Sequence, residues 1–442
     1  MSIHSNDRAT RATKLDRLSK RAKEDPNTVF NNLGHLLDRN LLIETYQQLD
    51  GNKAVGIDGV TKGTYGKELG QNLTGLLQRI RSGMYHPQPA RLVKIPKEDG
   101  SSRPLAVSCF EDKLVQAAVS KILSTIYEPV FLPCSYGFRP GRSCHDALRA
   151  LSKATYPCWD GAVVEIDIRK YFNTIPHEEL REMLMRKISD ERFLRLIDKL
   201  TQTPIYGGGN IERSREGCPQ GSILSPILAN IFLHEVIDGW FEEIRRHHIV
   251  GKAEMVRYAD DMVFVFQHHI QAKRFFKVLP KRLAKYGLMM HEAKSRLIQS
   301  GQNAAYRANK WGTRLPTYQF LGFTVYWGKA RNGKWWRMKF TSRRDRFTGK
   351  LKALKHFLRK ERTTKDSVQV LRTVVRGVVG WINYHAISDN ERRVRQFIRI
   401  SRYLIFRWIN RRGRKRPMNW RTFMRVLDRV NFPRKWQTIS MF

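Results

Sequence analysis

Between residues 162 and 168, apolar and polar positions alternate with period two. Val164, Ile166 and Ile168 fall on one side of an extended chain, and Val163, Glu165 and Asp167 on the other. Successive strand side chains point to opposite faces, so this pattern predicts a half-buried β-strand. Residues 255–266 repeat the signal on both sides of Ala259-Asp260-Asp261 and predict strand, tight turn, strand. Residues 91–107 read as a β-hairpin, with two extended runs flanking Asp99-Gly100. A helical period runs over 33–49 and stops at Asp50-Gly51. It returns over 111–127, where Leu114, Ala118, Ile122 and Ile126 share a face, and over 177–200. Residues 219–233 pass through a glycine-containing turn into an apolar helix. The first 27 residues are basic and polar and predict a flexible or helical arm. After about residue 340 the pattern becomes mostly helical. Helices mixed with strands that carry acids predict an α+β sheet domain.

Charge changes this picture. Lys and Arg number 81 against 40 Asp and Glu, a net of +41 over 442 residues. Residues 301–442 hold 36 basic and 6 acidic side chains, a net of +30, which leaves +11 for the first 300 residues. Trp311, Trp327, Trp335, Trp336, Trp381, Trp408, Trp420 and Trp436 lie in the same C-terminal stretch. Cations at that density repel one another in a compact domain unless a polyanion shares the surface. Phosphate backbones meet that need, and interleaved aromatic rings add faces for stacking bases. The chain length suggests two or three domains. The five cysteines (Cys109, Cys134, Cys144, Cys158, Cys218) are odd in number and lack CxxC spacing, which argues against a disulfide framework or a zinc ribbon. Reduced thiols, no long apolar run and no apolar leader predict a cytoplasmic chain without a membrane partner, nucleoid-associated when on DNA.

Asp167, Asp260 and Asp261 interrupt apolar strand patterns, where carboxylates are disfavoured. An adjacent pair at a hairpin tip also has a plain turn reading, because Asp is a favoured turn residue. If the three converge, their hard oxygens suit Mg²⁺ shared with substrate phosphates. Two such ions assist phosphoryl transfer by stabilising attacking and leaving oxygens.

The Tyr-Ala-Asp-Asp run at 258–261 is similar to the YxDD signature of reverse transcriptases, and it stands in a specific series. Gly-Ile-Asp-Gly-Val (56–60), the Lys-Ile-Pro and Arg-Pro-Leu arms of 94–105, and Ser-Tyr-Gly-Phe-Arg-Pro-Gly-Arg-Ser (135–143) precede it, as do Glu-Ile-Asp-Ile-Arg-Lys-Tyr-Phe (165–172) and the block at 217–230 that begins Gly-Cys-Pro-Gln-Gly. His-Glu-Ala-Lys-Ser (291–295) and Phe-Leu-Gly-Phe (320–323) follow. The series resembles that of reverse transcriptases encoded in bacterial group II introns, and Gly-Trp-Ile-Asn-Tyr-His (380–385) resembles their maturase region, domain X.

The resemblance implies a right-hand polymerase. Its N-terminal basic extension is residues 1–45, its fingers and palm 46–325, an α-helical thumb or domain X 326–415, and a basic tail 416–442. Asp167, Asp260 and Asp261 would hold two Mg²⁺ ions, with Mn²⁺ a possible substitute. Phe172 would be the aromatic gate that selects deoxynucleotides. Lys97, Arg103, Gln220 and Lys294 would contact the incoming nucleotide. Arg139 and Arg142 would contact template or pair with palm carboxylates. His247-His248 and His268-His269 lack ligand spacing. Expected partners are an RNA template, group II intron RNA, a DNA primer or target and dNTPs. The function implied is reverse transcription with assistance to splicing and retrohoming. Two alternatives stay open: a domesticated reverse transcriptase in phage defence or a CRISPR-linked system, and a splicing-only RNA-binding maturase. No cysteine follows Cys218, so the His-Asn-His endonuclease carried by many relatives is expected to be absent.

Overall fold

The computed structural model describes residues 3–96, 102–213, 216–330, 333–361, 366–411 and 417–441. Among the described residues eleven strands follow in chain order: β1 (Ala90–Pro96), β2 (Ser102–Val107), β3 (Gly161–Ile166), β4 (Ile205–Gly207), β5 (Asn210–Glu212), β6 (Ala253–Tyr258), β7 (Asp261–Phe266), β8 (Arg296–Ser300), β9 (Tyr318–Phe320), β10 (Phe323–Lys329) and β11 (Trp336–Ser342). They form three sheets, ordered β2-β1-β4-β5, β6-β7-β3-β8 and β11-β10-β9.

The central sheet is antiparallel throughout, and its alternation sorts side chains into two cores. Ala162, Val164, Ile166, Phe264 and Phe266 pack into the largest core, shared with helices Phe110–Tyr127, Ser225–Leu233 and His269–Lys285. Val163, Val256, Val263, Val265 and Ile298 face the other way, onto helix Cys144–Thr155 and the sheet β9–β11. The faces predicted from residues 162–168 are those observed. A third core joins the C-terminal helices Arg344–Lys360, Ser367–His385, Glu391–Asn410 and Trp420–Arg429.

Other expectations shift in instructive ways. The N-terminal arm is helical over Ile3–Glu24, and its Leu15 and Leu18 pack on the main core. The helix expected at 33–49 is a short turn, Gly34–Leu36, followed by Arg39–Gln48, because the Asp38 carboxylate caps the Leu41 N–H at 2.8 Å. The helix expected at 177–200 is two, His177–Met185 and Glu191–Thr201. Between them Ser189 N–H donates to Phe30 C=O, and Asp190 accepts from both Phe193 N–H and Gly34 N–H. An N-terminal segment thus claims the backbone groups that would have continued the helix. The helical pattern expected after about residue 340 begins at Arg344, but the first part of the α-helical domain implied for 326–415 contains most of β10 and all of β11.

Candidate active site

The carboxylates gather at one end of the central sheet. Ile166 of β3 pairs with Met262 of β7, so the next step in register sets Asp167 opposite Asp261, on the same face. Tyr258 pairs with Asp261 and closes a two-residue loop, Ala259-Asp260. Ala259 has φ of 56°, a left-handed value that hairpin loops usually assign to glycine. Its surroundings hold it there. A Cβ at Gly137 would stand 2.3 Å from Ala259 N, so only glycine lets residues 135–143 lie against the turn.

Beneath the turn lies Arg257, a fully buried cation in an apolar strand. Its Nε and Nη2 donate to the two oxygens of buried Asp238 at 2.7 and 2.5 Å. Its Nη1 donates to Asn230 Oδ1 at 2.9 Å and to Ala259 C=O at 3.2 Å. Asn230 Nδ2 in turn donates to Gly137 C=O at 2.8 Å. The network therefore grips both backbones that shape the loop. Sequence reasoning missed Arg257, Asp238 and Asn230 as site-shaping residues. The available signal was an arginine inside an apolar strand, which demands a buried partner.

Asp167 is fixed through its backbone. Its N–H donates to Ser295 Oγ at 3.2 Å, and its C=O accepts from His291 N–H at 2.8 Å. Its carboxylate meets Lys294 Nζ at 3.0 Å, which brings that predicted residue into the site. Burial raises the Asp260 carboxyl above the usual range, and the Asp167 charge adds to the effect. Arg103 and Lys294 oppose it, which puts Arg103 of β2 within electrostatic reach. Asp261 is exposed to solvent, yet desolvation by the surrounding protein, with Asp260 and Asp167, pushes it up to about 6, against the pull of Arg346. Arg346 was not anticipated from the sequence. Among the described residues no three His, Cys, Asp or Glu side chains form a ready-made metal cage. The carboxylates instead form a half-open set of hard donors, faced by the cations Lys294, Arg103 and Arg346. That suits Mg²⁺, which takes one or two carboxylates and completes its shell with water and substrate phosphate.

A second group of predicted residues lines up beside the first. After Lys170, at φ of 44°, the chain turns through Tyr171–Asn173. Tyr171 is buried and its hydroxyl donates to Ala229 C=O at 2.6 Å, while Phe172 is half-buried. Phe172 C=O accepts from Cys218 N–H at 2.7 Å. Gln220 Nε2 donates to Asn173 Oδ1 at 3.1 Å, and Gln220 C=O accepts from Ala106 N–H at 2.7 Å. The Gln220 loop therefore ties β2, which carries Arg103, to the Phe172 turn. Gly221 makes this possible: at φ of 108°, a Cβ there would lie 2.7 Å from Ala106 O.

Residues 95–325, just over half of the chain, match the family described as reverse transcriptase (RNA-dependent DNA polymerase). The chain belongs to the reverse transcriptase family. Its relatives include the group II intron-encoded protein LtrA of Lactococcus lactis, 38% identical over 226 residues, or 50% of this chain and 37% of that protein. An uncharacterized 91 kDa protein in the cob intron of Schizosaccharomyces pombe is 38% identical over 237 residues, 52% of this chain and 29% of that protein. Protein YkfC of Escherichia coli is 37% identical over 206 residues, 46% of this chain and 53% of that protein. These relatives support the group II intron type of reverse transcriptase. The chain spans between about a third and a half of the relatives' lengths.

Other predicted residues of this reverse transcriptase lie elsewhere. Arg139 is buried and pairs with Glu128 at 2.7 Å while donating to Leu132 C=O and Ser135 C=O. Arg142 donates to Pro133 C=O and Ser135 C=O and lies over the Tyr136 ring. Both brace the segment that backs the Ala259 turn. His247, His248, His268 and His269 are exposed and join no metal-binding group among the described residues. Lys97 lies outside the described residues. No helix among them is long and apolar enough to cross a membrane.

Proposed function

We propose that the chain is an RNA-directed DNA polymerase that extends the 3′-hydroxyl of a DNA primer with dNTPs on an RNA template. One observation carries this reading: Asp167 and the Asp260-Asp261 pair, nearly a hundred residues apart in sequence, end adjacent antiparallel strands of one sheet and share one electrostatic environment. In this reading residues 46–325 are fingers and palm. The helices from Arg344 onward are the thumb or maturase domain X, with residues 1–45 a basic extension and 416–442 a basic tail.

Reverse transcriptases generally use divalent metal ions such as Mg²⁺. A pair of them, held by Asp167, Asp260 and Asp261, would supply positive charge to the attacking and leaving oxygens of nucleotide transfer. The chain's own residues do the rest. Arg103 presents a planar fork of donors toward triphosphate oxygens. Lys294, now on Asp167, is the mobile cation that can exchange that carboxylate for a phosphate. The Gln220 loop holds the nucleotide's approach rigid by bridging β2 to Asn173. Phe172 would be the ring beneath the sugar that excludes a 2′-hydroxyl.

The net charge of +17 over residues 340–415, part of the +30 over residues 301–442, supports binding of the template–primer duplex and of group II intron RNA by residues 340–415, with a role in splicing and retrohoming. Primer extension on poly(rA)/oligo(dT) tests the enzyme reading. The wild type should extend and Asp260→Ala should not. A wild type that binds the substrate but never extends it would leave only the RNA-binding maturase.

A further inference from the structure

The far end of the central sheet carries a surface that the polymerase reading does not use. β3 begins at Gly161, six residues before Asp167, so Asp160, seven before it, lies about 23 Å from the carboxylates along an extended chain. Here Gly301 packs on Trp159 C=O, Asn303 N–H donates to the same carbonyl at 2.9 Å, and Trp327 Nε1 donates to Ser300 Oγ at 3.0 Å. These contacts gather helix Cys144–Thr155, the start of β3, helix Gln302–Lys310 and the β10–β11 hairpin around a cavity of about 230 Å³.

Tyr156, Trp327 and Trp336 line that cavity, together with Lys153, Thr155 and Gln302. Of these, Tyr156 is 76% exposed, so its ring face is open to a ligand. Cations are interleaved with the rings. Lys329 Nζ lies 5.9 Å from the Trp336 ring centroid, Lys153 is on the cavity wall, and Arg307 pairs with Asp160. An apolar surface built to dock a protein would deplete such charges at its centre. Open rings among cations are what single-stranded nucleic acid needs: faces for unpaired bases and charge for the backbone.

We propose that this surface, formed by Tyr156, Trp327 and Trp336 with Lys153 and Lys329, is a second nucleic-acid site that stacks unpaired bases of single-stranded RNA. RNA is preferred over DNA because the Gln302 side chain borders the rings and offers a polar partner to a ribose 2′-hydroxyl. With the carboxylates about 23 Å away along β3, the site serves to anchor a loop or tail of the RNA while the cleft works on another part. Linking two contacts on one RNA raises overall affinity without a new catalytic group.

The test is binding of labelled oligo(U) of twelve nucleotides to the full chain at physiological ionic strength, read by fluorescence anisotropy. The background is Asp260→Ala, with the cleft saturated by unlabelled primer–template duplex. Tyr156→Ala/Trp336→Ala should weaken oligo(U) binding at least about tenfold, the loss expected from stacked bases. Tyr156→Phe/Trp336→Phe should retain wild-type affinity. Lys153→Gln should flatten the salt dependence. In an otherwise wild-type chain, the alanine pair should leave extension of a short blunt template–primer unchanged. Unchanged oligo(U) affinity in the alanine pair would overturn the proposal and leave the surface to a protein partner. An equal loss in the phenylalanine pair would overturn stacking. Equal affinity for oligo(dT) would overturn the choice of RNA. Failure of the polymerase reading would show separately, as no extension by the wild type.

Discussion

Arg257 and Asp238, neither of them solvent-exposed, form a two-pronged ion pair directly under the loop that presents Asp260. Asp238 comes from the π-helical turn His234–Asp238 and Arg257 from the strand that enters the loop, so the pair fastens hairpin to helix. The remaining guanidinium donor reaches Asn230 and the carbonyl of Ala259. Arg257→Met would leave Asp238 as an uncompensated buried charge and should cost about 3–5 kcal/mol, read by denaturant unfolding. Arg257→Lys keeps the charge but loses the planar fork. It should unfold nearer the wild type while extending primers more slowly, with the loss in kcat rather than in the KM for dNTP. Equal stability of Arg257→Met and wild type would show that the pair holds nothing in place.

Asp261 gives a pH dependence of defined sign. Its carboxyl is pushed up to about 6 in the folded chain, against an ordinary value of 3.8. The folded state therefore holds the proton more tightly than the unfolded state. From this group the metal-free protein loses stability as pH rises from about 4 to about 6, then reaches a plateau. Buried Asp112, also pushed up to about 6, acts in the same direction, so Asp261→Asn isolates the site's share. Because Mg²⁺ needs the ionised carboxylate, it should raise the melting temperature at pH 7.5 and not at pH 5. Asp261→Asn should abolish most of that rise. A rise of equal size at both pH values would contradict this assignment.

Lys294 and Asp167 compete with the metal for one another. The ammonium at 3.0 Å must leave the carboxylate for a cation to bind there. Lys294→Ala should therefore lower the Mg²⁺ concentration needed for half-maximal thermal stabilisation. The same variant should raise the KM for dNTP by several-fold, because a cation for the phosphates is gone. A higher Mg²⁺ requirement would mean that the lysine supports the metal site instead.

Phe172 sits half-buried beside Tyr171, with ring centroids 5.4 Å apart and its backbone locked to Cys218. Such a ring can be shortened without unfolding the turn. Phe172→Val should raise kcat/KM for ribonucleotides relative to deoxynucleotides by roughly tenfold or more, measured by extension with each nucleotide set. Unchanged discrimination would remove Phe172 from sugar selection.

Much of this was legible where local pattern and tertiary need agree. The alternation of residues 162–168 names its two faces because each faces a different core, and the 91–107 hairpin shows in two extended runs around Asp99-Gly100. The acids at 167, 260 and 261 stood out because nothing apolar surrounds a carboxylate without reason. Long-range partners were not legible. The break between Met185 and Glu191 is set by Phe30, more than a hundred and fifty residues away. The partner of Arg257 lies on a helix that precedes it by 19 residues and could not be read from spacing. β11 was hidden because its outward Arg337 and Lys339 were counted as charge, while Met338, Phe340 and Ser342 alternate inward beneath them.

The central claim is that three carboxylates act as one site. Primer extension by Asp167→Asn, Asp260→Asn, Asp261→Asn and the triple variant, under single-turnover conditions, tests it most directly. Each single change should slow extension on the order of a thousandfold or more, and the triple should be scarcely slower than the worst single, as for residues that work as a unit. Near-wild-type extension by any one of the three, or losses that multiply independently across them, would contradict a shared site.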